Sequence, residues 1–276
     1  MNLFPWTTVS SGETSERVSA IQYLLRAHGH QLNVDGAYGP ATVKAVKALQ
    51  AASGLTTDGV VGPKTWPKLV KTISIGSTGD AVLALQVGGL ATPPWDGPLD
   101  VDGVFGPETK ERVEGFQYNW GLTRDGAVGP ETWSFATTED GPWPLVKVGA
   151  TQESNWRVRS VQHLLRAHGA SIVADGSYGP LSGEAMKFFQ LGLRATEIST
   201  TCGQLDWPEL ALTVSPGDSG EAVRAVQWLL PDLTTDGLFG PKTESAVRAF
   251  QDKFLPTTDA IVGPMTWWAL VVPAYG

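Results

Sequence analysis

Four times in this chain of 276 residues the same eight-residue phrase returns. Its pattern is D-G-x-[FY]-G-P-x-[ST], and the four copies begin at Asp35, Asp102, Asp175 and Asp236. Such self-similarity is typical of a chain built from copies of one supersecondary unit. We therefore expect each copy to fold alike and neighbouring copies to share buried faces.

Other residues recur around the phrase. A glutamine closes an apolar run fifteen residues after each opening aspartate, and another glutamine precedes the aspartate by nine to sixteen residues. A second phrase, D-[GA]-x-V-G-P-x-T-W, begins at Asp58, Asp125 and Asp259. In the third copy this second phrase has decayed to STTCGQLDW, which keeps Gly203 and Trp207 but loses Asp-Gly and the proline.

A longer duplication lies over the four repeats. Repeats one and three share YLLRAHG (23–29) and HLLRAHG (163–169), whereas repeats two and four share SIGSTGDAV (74–82) and SPGDSGEAV (215–223). This pairing indicates that a two-repeat unit was itself duplicated. We predict repeat boundaries at 1–72, 73–140, 141–212 and 213–276, and we expect repeat three, with its decayed half, to be a spacer.

Each repeat has the periodicity of helices. In repeat one, Val18, Ile21 and Leu25 form an amphipathic stripe that ends at Gly29, a typical helix C-cap. Asp-Gly then favours a tight turn, and the following proline suits the first position of a second helix. A short third helix is expected around the tryptophan of the second phrase. We predict a mainly α chain with three helices in each repeat.

The order of these motifs resembles the peptidoglycan-binding domain that is appended to bacterial and phage cell-wall hydrolases. Repeat one shows it as AIQYLL, DGAYGPAT, VKALQ and SGLTTDGVVGPKTW, and repeat two as LALQ, DGVFGPET, VEGFQ and WGLTRDGAVGPETW. The resemblance covers nearly the whole chain and departs most in the second half of repeat three. It implies four tandem three-helix orthogonal bundles, arranged as a duplicated two-repeat unit, and attachment to cell-wall glycopeptide.

Candidate ligand-binding residues lie in and beside the first phrase. Its aromatic residues could stack on sugar rings or on a peptide stem, although an aromatic at a repeated position also suits a core. Its aspartates could accept hydrogen bonds from a ligand, although an aspartate before glycine also closes its own turn. An exposed tryptophan is expected in the Pro-rich insert of repeat two. The candidates are Tyr38, Phe105, Tyr178, Phe239, Trp95, Asp35 and Asp102.

Charge and composition exclude several kinds of partner. A formal net charge of −8 with no basic cluster argues against nucleic acid and anionic membranes as partners, and no apolar stretch predicts membrane insertion. Cys202 is the single cysteine, so no disulfide framework is expected. No cofactor is expected, and a calcium loop at Asp100 and Asp102 is rejected because Phe105 replaces the required glycine.

Catalysis has little support in the sequence. Three of the four histidines, His28, His163 and His168, lie in the LLRAHG segments, where carbonyl contacts near a helix end explain them. No hydrolase motif with catalytic spacing is present, so the chain is predicted not to be an enzyme. We expect peptidoglycan or its muropeptides to be the partner, bound through several weak sites.

Two alternatives remain open. The fold could serve as a structural adaptor in a phage or secretion apparatus, with a protein as its partner, or the chain could be a lytic enzyme whose site is not recognisable. A secreted or wall-associated location is expected, although residues 1–18 do not have the pattern of a signal peptide. A cytoplasmic assembly component is the alternative location.

Overall fold

The computed structural model describes residues 6–88, 99–138 and 142–272. Within these ranges the chain forms twelve α-helices and isolated β-bridges, with no extended strand. The helices of repeats one and two are α1 Glu16–Ala27, α2 Pro40–Ala52, α3 Trp66–Leu69, α4 Asp80–Gly88, α5 Pro107–Trp120 and α6 Pro130–Ala136. Those of repeats three and four are α7 Val158–Ala167, α8 Pro180–Gly192, α9 Trp207–Leu210, α10 Glu221–Leu229, α11 Pro241–Phe254 and α12 Pro264–Val271. The prediction of a mainly α fold, with three helices for each repeat, is confirmed.

Proline begins the second helix of every repeat, as predicted. Its fixed φ suits a first helical turn, and its missing N–H would have had no intrahelical partner there. Pro40, Pro107, Pro180 and Pro241 begin α2, α5, α8 and α11. The Asp-Gly turns before these helices place Gly36 and its counterparts at positive φ, for example +70° at Gly36.

The chain segment before the first helix of each repeat joins the two turns. In repeat one, Val9 forms a bridge with Val61 of the second turn, and Thr14 forms a bridge with Ala37 of the first turn. The same two antiparallel bridges recur in the other three repeats. Single-residue bridges have no alternating pattern that a sequence could display, and they were not predicted.

A tryptophan occupies the centre of each repeat, as the sequence predicted. Trp66, Trp133, Trp207 and Trp267 are fully buried. Each indole N–H donates to a backbone carbonyl of the segment before the first helix, over 2.7–2.8 Å. Burial therefore leaves no indole donor unsatisfied. In repeats one and three a second tryptophan stacks on the first, Trp6 on Trp66 and Trp143 on Trp207.

The described chain divides into two compact units. Of the described residues, the first contains 6–88, 99–117, 122–138 and 142, and the second contains 118–121 and 143–272. In the first unit α1 packs against α4, and in the second α7 packs against α10. The first helices of two adjacent repeats therefore pair within each unit, which agrees with a duplicated two-repeat architecture.

The two helix pairs use different contacts. In the first unit, Arg26 forms an ion pair with Asp80 over 3.2 Å. The two helices also approach closely at Gly88, where an added Cβ would lie only 2.7 Å from Cβ of Ala20. In the second unit, Glu221 accepts from Nδ1 of His163 over 2.7 Å and from Arg166.

Within the described ranges, no helix is both long and apolar enough to cross a membrane.

Candidate functional site

A glutamine side chain holds each first phrase in place. In repeat one, Nε2 of Gln22 donates to Oδ1 of Asp35 over 2.7 Å and to the hydroxyl of Thr42 over 3.1 Å. Its Oε1 accepts from the N–H of Gly36 over 3.0 Å. We call this arrangement of glutamine, aspartate, turn amide and hydroxyl the glutamine clasp. It explains why the phrase ends in Thr or Ser and why glutamine recurs before it.

The second phrase has its own glutamine clasp. Nε2 of Gln50 donates to Asp58 over 2.7 Å and to the hydroxyl of Thr65 over 3.1 Å, and Gly59 donates to its Oε1. Seven of the eight recurring glutamines donate in this way to the aspartate that opens their phrase. The eighth, Gln190 of repeat three, donates instead to Asp206.

The candidate aspartates Asp35 and Asp102 lie in these clasps. Hydrogen bonds from Gln22 and from the N–H of Ala37 hold the pKa of Asp35 below its ordinary value, and Gln86 and Val104 do the same for Asp102. The turn-closing interpretation is therefore confirmed. A further contact from either carboxylate to a ligand stays a prediction.

The four candidate aromatic residues lie in the interior of their repeats. Tyr38, Phe105, Tyr178 and Phe239 each expose 3% or less of their surface. Stacking needs an accessible ring face, so ligand contact by these side chains stays a prediction that their burial does not support. Trp95, the fifth aromatic candidate, lies outside the described residues.

The hydroxyls of the two motif tyrosines differ. Tyr38 donates to the carbonyl of Gly59 over 2.8 Å, so repeat one uses its hydroxyl to tie the first phrase to the second. The hydroxyl of Tyr178 is buried without a hydrogen-bond partner among the described residues. A buried unpaired hydroxyl is costly. In the decayed second phrase of repeat three, Thr200 stands at the position of Gly59.

Repeat three has exchanged several residues together. In repeat one, a Cβ at Gly59 would lie 3.0 Å from Val43, whereas in repeat three a Cβ at Gly183, the counterpart of Val43, would lie 2.9 Å from Thr200. The large and the small residue have traded places, which keeps the packing volume. The decay of this half therefore keeps a packed core and is not simple loss of structure.

Asp206 replaces the clasp threonine of the other repeats. It is fully buried, accepts from Gln190 over 3.0 Å and from the N–H of Gly203 over 2.8 Å, and burial raises its pKa to about 6. Cys202 is also fully buried, and burial raises the pKa of its thiol. A thiol that is buried and protonated suits a packing role.

A pocket of about 600 Å³ opens in repeat three, between the end of α7 with its following loop and one face of α8. This volume lies within the range of small-ligand sites. Its walls include Leu181 and Phe188, which are 78% and 70% exposed, and Ile172 from the loop. Repeat three, predicted as a spacer, thus contains a pocket of the size of a small-ligand site.

Comparison with repeat one shows what forms this apolar surface. Leu181, Phe188 and Leu193 occupy the positions of Ala41, Ala48 and Ser53. Three larger apolar residues stand where repeat one has small ones, two of them on α8 and Leu193 directly after it, and all three are exposed. This difference is visible in the sequence, but the repeat pattern draws attention to what is shared and so hides it.

His168 forms one wall of the pocket and is held by the fold. Its Nε2 lies 3.0 Å from the carbonyl of Leu210, and its ring meets Phe189 edge-on at 4.8 Å between centroids. A carbonyl only accepts, so Nε2 carries the proton. His28 makes the same contact with Leu69 in repeat one. The predicted carbonyl contact is confirmed for His28 and His168, although the carbonyl belongs to the third helix of the repeat. It is wrong for His163, which lies inside α7 and contacts the carboxylate of Glu221.

Arg194 follows the pocket residue Leu193 and has an unusual backbone. Its φ of 56° is in the left-handed region, where repeats one and two have Gly54 and Gly121 at φ 67°. A side chain at such a position costs about 1–2 kcal/mol relative to glycine. Arg194 is exposed and forms no ion pair with any described residue.

Comparison with protein families identifies three segments of the chain. A family model described as a peptidoglycan binding domain matches residues 14–69, 88–135 and 219–270. These segments together make up more than half of the chain. The match leaves out 136–218, which includes the pocket of repeat three.

Two similar curated proteins are named as enzymes. Over 70 residues the chain is 40% identical to the zinc D-Ala-D-Ala carboxypeptidase of Streptomyces albus G, covering 24% of this chain and 28% of that protein. Over 149 residues it is 30% identical to the N-acetylmuramoyl-L-alanine amidase CwlL of Bacillus licheniformis, covering 42% of this chain and 41% of that protein. The chain thus spans less than half the length of either enzyme.

These relatives correct one prediction. The chain was predicted not to be an enzyme because its sequence lacks a recognisable catalytic motif. That prediction is wrong, since both of these relatives are named as enzymes, a carboxypeptidase and an amidase.

A solved structure also resembles part of the chain. A peptidoglycan-binding protein from Clostridioides difficile, in complex with glutamine hydroxamate, is 35% identical over 23% of this chain and 40% of that one. The TM-score is 0.23, and a value this low does not establish a shared overall architecture.

Proposed function

The chain belongs to the peptidoglycan binding domain family, and from this premise we propose that it holds a cell-wall hydrolase on peptidoglycan. The observation that carries the proposal is the family match in three separate segments. Several weak sites on one chain raise its retention on a polymer far above that of a single site. A repeated ligand such as peptidoglycan suits this mode of binding, with the cell wall as the location.

We count repeat three as a divergent fourth copy within this proposal. Its first clasp is intact, since Gln162 donates to Asp175 over 2.9 Å and accepts from Gly176. Its Trp207 is buried and donates to the carbonyl of Pro144, as the other three tryptophans donate to their leading segments. The helices α8 and α9 begin and end at positions that match α2 and α3, and α7 ends at the position that matches the end of α1. These features support common descent with the three matched segments.

The hydrolase part of the proposal rests on the names of the relatives. A carboxypeptidase and an amidase both share a segment with this chain, and each enzyme extends well beyond that segment. A wall-binding segment that keeps the enzyme at its substrate raises the local substrate concentration. On this view the repeats supply retention, and the substrate is the polymer to which they bind.

Sedimentation with insoluble peptidoglycan tests the binding. Purified chain is mixed with peptidoglycan freed of teichoic acid, and chitin serves as the control polymer. Most of the protein is expected in the peptidoglycan pellet and little in the chitin pellet. Equal recovery from both polymers, or none from either, would refute the proposal.

A zymogram tests the hydrolase assignment separately. The chain is run in a gel that contains peptidoglycan, renatured and stained. A clearing zone at its mass supports hydrolysis. Retention on peptidoglycan without clearing would limit this chain to the binding step.

A further inference from the structure

The pocket of repeat three differs from the rest of the chain in what it offers a ligand. It lies outside the three family-matched segments, and its volume is about 600 Å³. Phe188 and Leu181 leave most of their apolar surface in water. Exposed apolar side chains that line one concave surface indicate a binding site more than single scattered ones do.

Three polar groups near this pocket are already engaged. Nε2 of His168 is used on the carbonyl of Leu210, and Glu184 is paired with Lys187 over 2.7 Å. The carbonyl of Ile172 accepts from Arg166 over 2.6 Å. A glycan carries hydroxyls around every ring, more than the few remaining polar groups here, such as Ser171, could pair. A ligand that places methyl groups in the pocket would lose few hydrogen bonds to water there.

Arg194 adds a charge at the edge of this pocket. It directly follows Leu193, it is exposed, and it forms no ion pair with the described residues. Its backbone has the positive φ at which repeats one and two have glycine. Local backbone preference therefore does not account for an arginine at this position. Guanidinium groups bind carboxylates through two parallel hydrogen bonds.

We propose that the pocket between α7 and α8 binds the alanine-containing stem peptide of peptidoglycan, with alanyl methyl groups against Phe188 and Leu181 and a free carboxylate at Arg194. This inference rests on the proposed function, since it names the part of peptidoglycan that one repeat takes. Repeat three is then a specialised peptide site and not a spacer.

The test uses soluble fragments and the full chain. The probe is the tetrapeptide L-Ala-γ-D-Glu-L-Lys-D-Ala, and chitotetraose represents the glycan. Chemical-shift titration of isotope-labelled protein reports both the affinity and the residues affected. We expect the tetrapeptide to shift the amides of 168–172 and 181–194, and chitotetraose to leave them unchanged.

Two variants test the two halves of the pocket. Phe188→Ala removes an exposed side chain and should weaken tetrapeptide binding by about tenfold. Arg194→Gly should also weaken it, by about fivefold, and should abolish the preference for the tetrapeptide over its C-terminal amide. Because glycine suits the backbone there, Arg194→Gly should raise the melting temperature while it lowers affinity, a combination that a purely structural role would not produce.

Each variant has a matched control in repeat four. Met265→Ala removes another exposed apolar side chain, which is 63% exposed. Ala260→Gly places glycine at another position with a positive φ, of 65°. Neither should change tetrapeptide affinity. Unchanged affinity in Phe188→Ala, or chitotetraose shifts at 181–194, would overturn the inference. If either result is found but the wild-type chain still sediments with peptidoglycan, only the peptide site is refuted and the proposed function stands. If the wild-type chain does not sediment with peptidoglycan, the peptide site and the proposed function are both refuted.

Discussion

Asp206 makes a sharp prediction about how the stability of the second compact unit depends on pH. Its carboxylate is fully buried, and burial raises its pKa from the ordinary 3.8 to about 6. Between these two values the folded state holds a proton that the unfolded state has released. Stability therefore falls as pH rises through this window. The full difference corresponds to about 3 kcal/mol, of which about 2 kcal/mol is lost between pH ~4.5 and ~7.5.

The perturbation is Asp206→Thr, which restores the residue that repeats one, two and four carry at this position. A threonine hydroxyl can accept from Gln190, as Thr65 does from Gln50 over 3.1 Å. The substitution removes the titrating group but also the bond from the N–H of Gly203. The test is therefore the change of stability with pH and not its value at one pH.

Calorimetry of wild type and Asp206→Thr at pH ~4.5 and pH ~7.5 provides the assay. A loss of about 2 kcal/mol should lower the wild-type melting temperature by about 6 °C more than that of the variant. The reverse substitution Thr266→Asp in repeat four should create the same pH dependence in a different repeat. Parallel pH profiles for wild type and Asp206→Thr would refute the reasoning, as would a carboxyl NMR titration that places the pKa of Asp206 near 3.8.

Three other predictions follow from the clasps, the backbone and the charge. Gln22→Leu should lower the free energy of unfolding, measured by urea denaturation, by about 2–3 kcal/mol, because the buried N–H of Gly36 loses its partner. The control Gln31→Leu, at an exposed position, should lower it by less than about 0.5 kcal/mol. Ala260→Gly should stabilise the folded protein by about 1 kcal/mol, since φ is 65° there. Ala249→Gly within α11 should destabilise it by a similar amount. A change of stability in the same direction for both variants would contradict the backbone argument. Raising salt from about 50 to about 500 mM should leave the sedimented fraction within about twofold, because a chain of net charge −8 has no net Coulombic attraction to an anionic wall polymer. A steep loss would contradict this.

The clasp aspartates should act in the opposite direction to Asp206. Gln22 and the N–H of Ala37 favour the ionised form of Asp35 and lower its pKa below 3.8. Such a group contributes stability at pH values above its ordinary pKa, and that contribution is lost as the pH falls through the lowered pKa of the folded state. Acid unfolding below pH ~3.8 is therefore expected to begin at the clasps, which the protection of the Gly36 amide would report.

Much of the fold could be predicted because its determinants are local. Pro40 and its counterparts begin helices for a reason confined to one residue, and Gly36 takes a positive φ because Asp-Gly favours it. The buried tryptophans followed from their recurrence even in the decayed repeat. The candidate site was harder to predict, because the residues common to all repeats are those that fold the repeat.

The sequence by itself determined the mainly α fold, the four repeats and the helix starts, since turn and helix preferences act over a few neighbouring residues. Only the tertiary structure decided that the motif aromatics are buried and that the recurring glutamines hold the turns. It also placed Leu181, Phe188 and Leu193 around one pocket. These outcomes depend on contacts between segments distant in the chain, such as Gln190 with Asp206 or the loop after α7 with α8, and no local preference specifies such contacts.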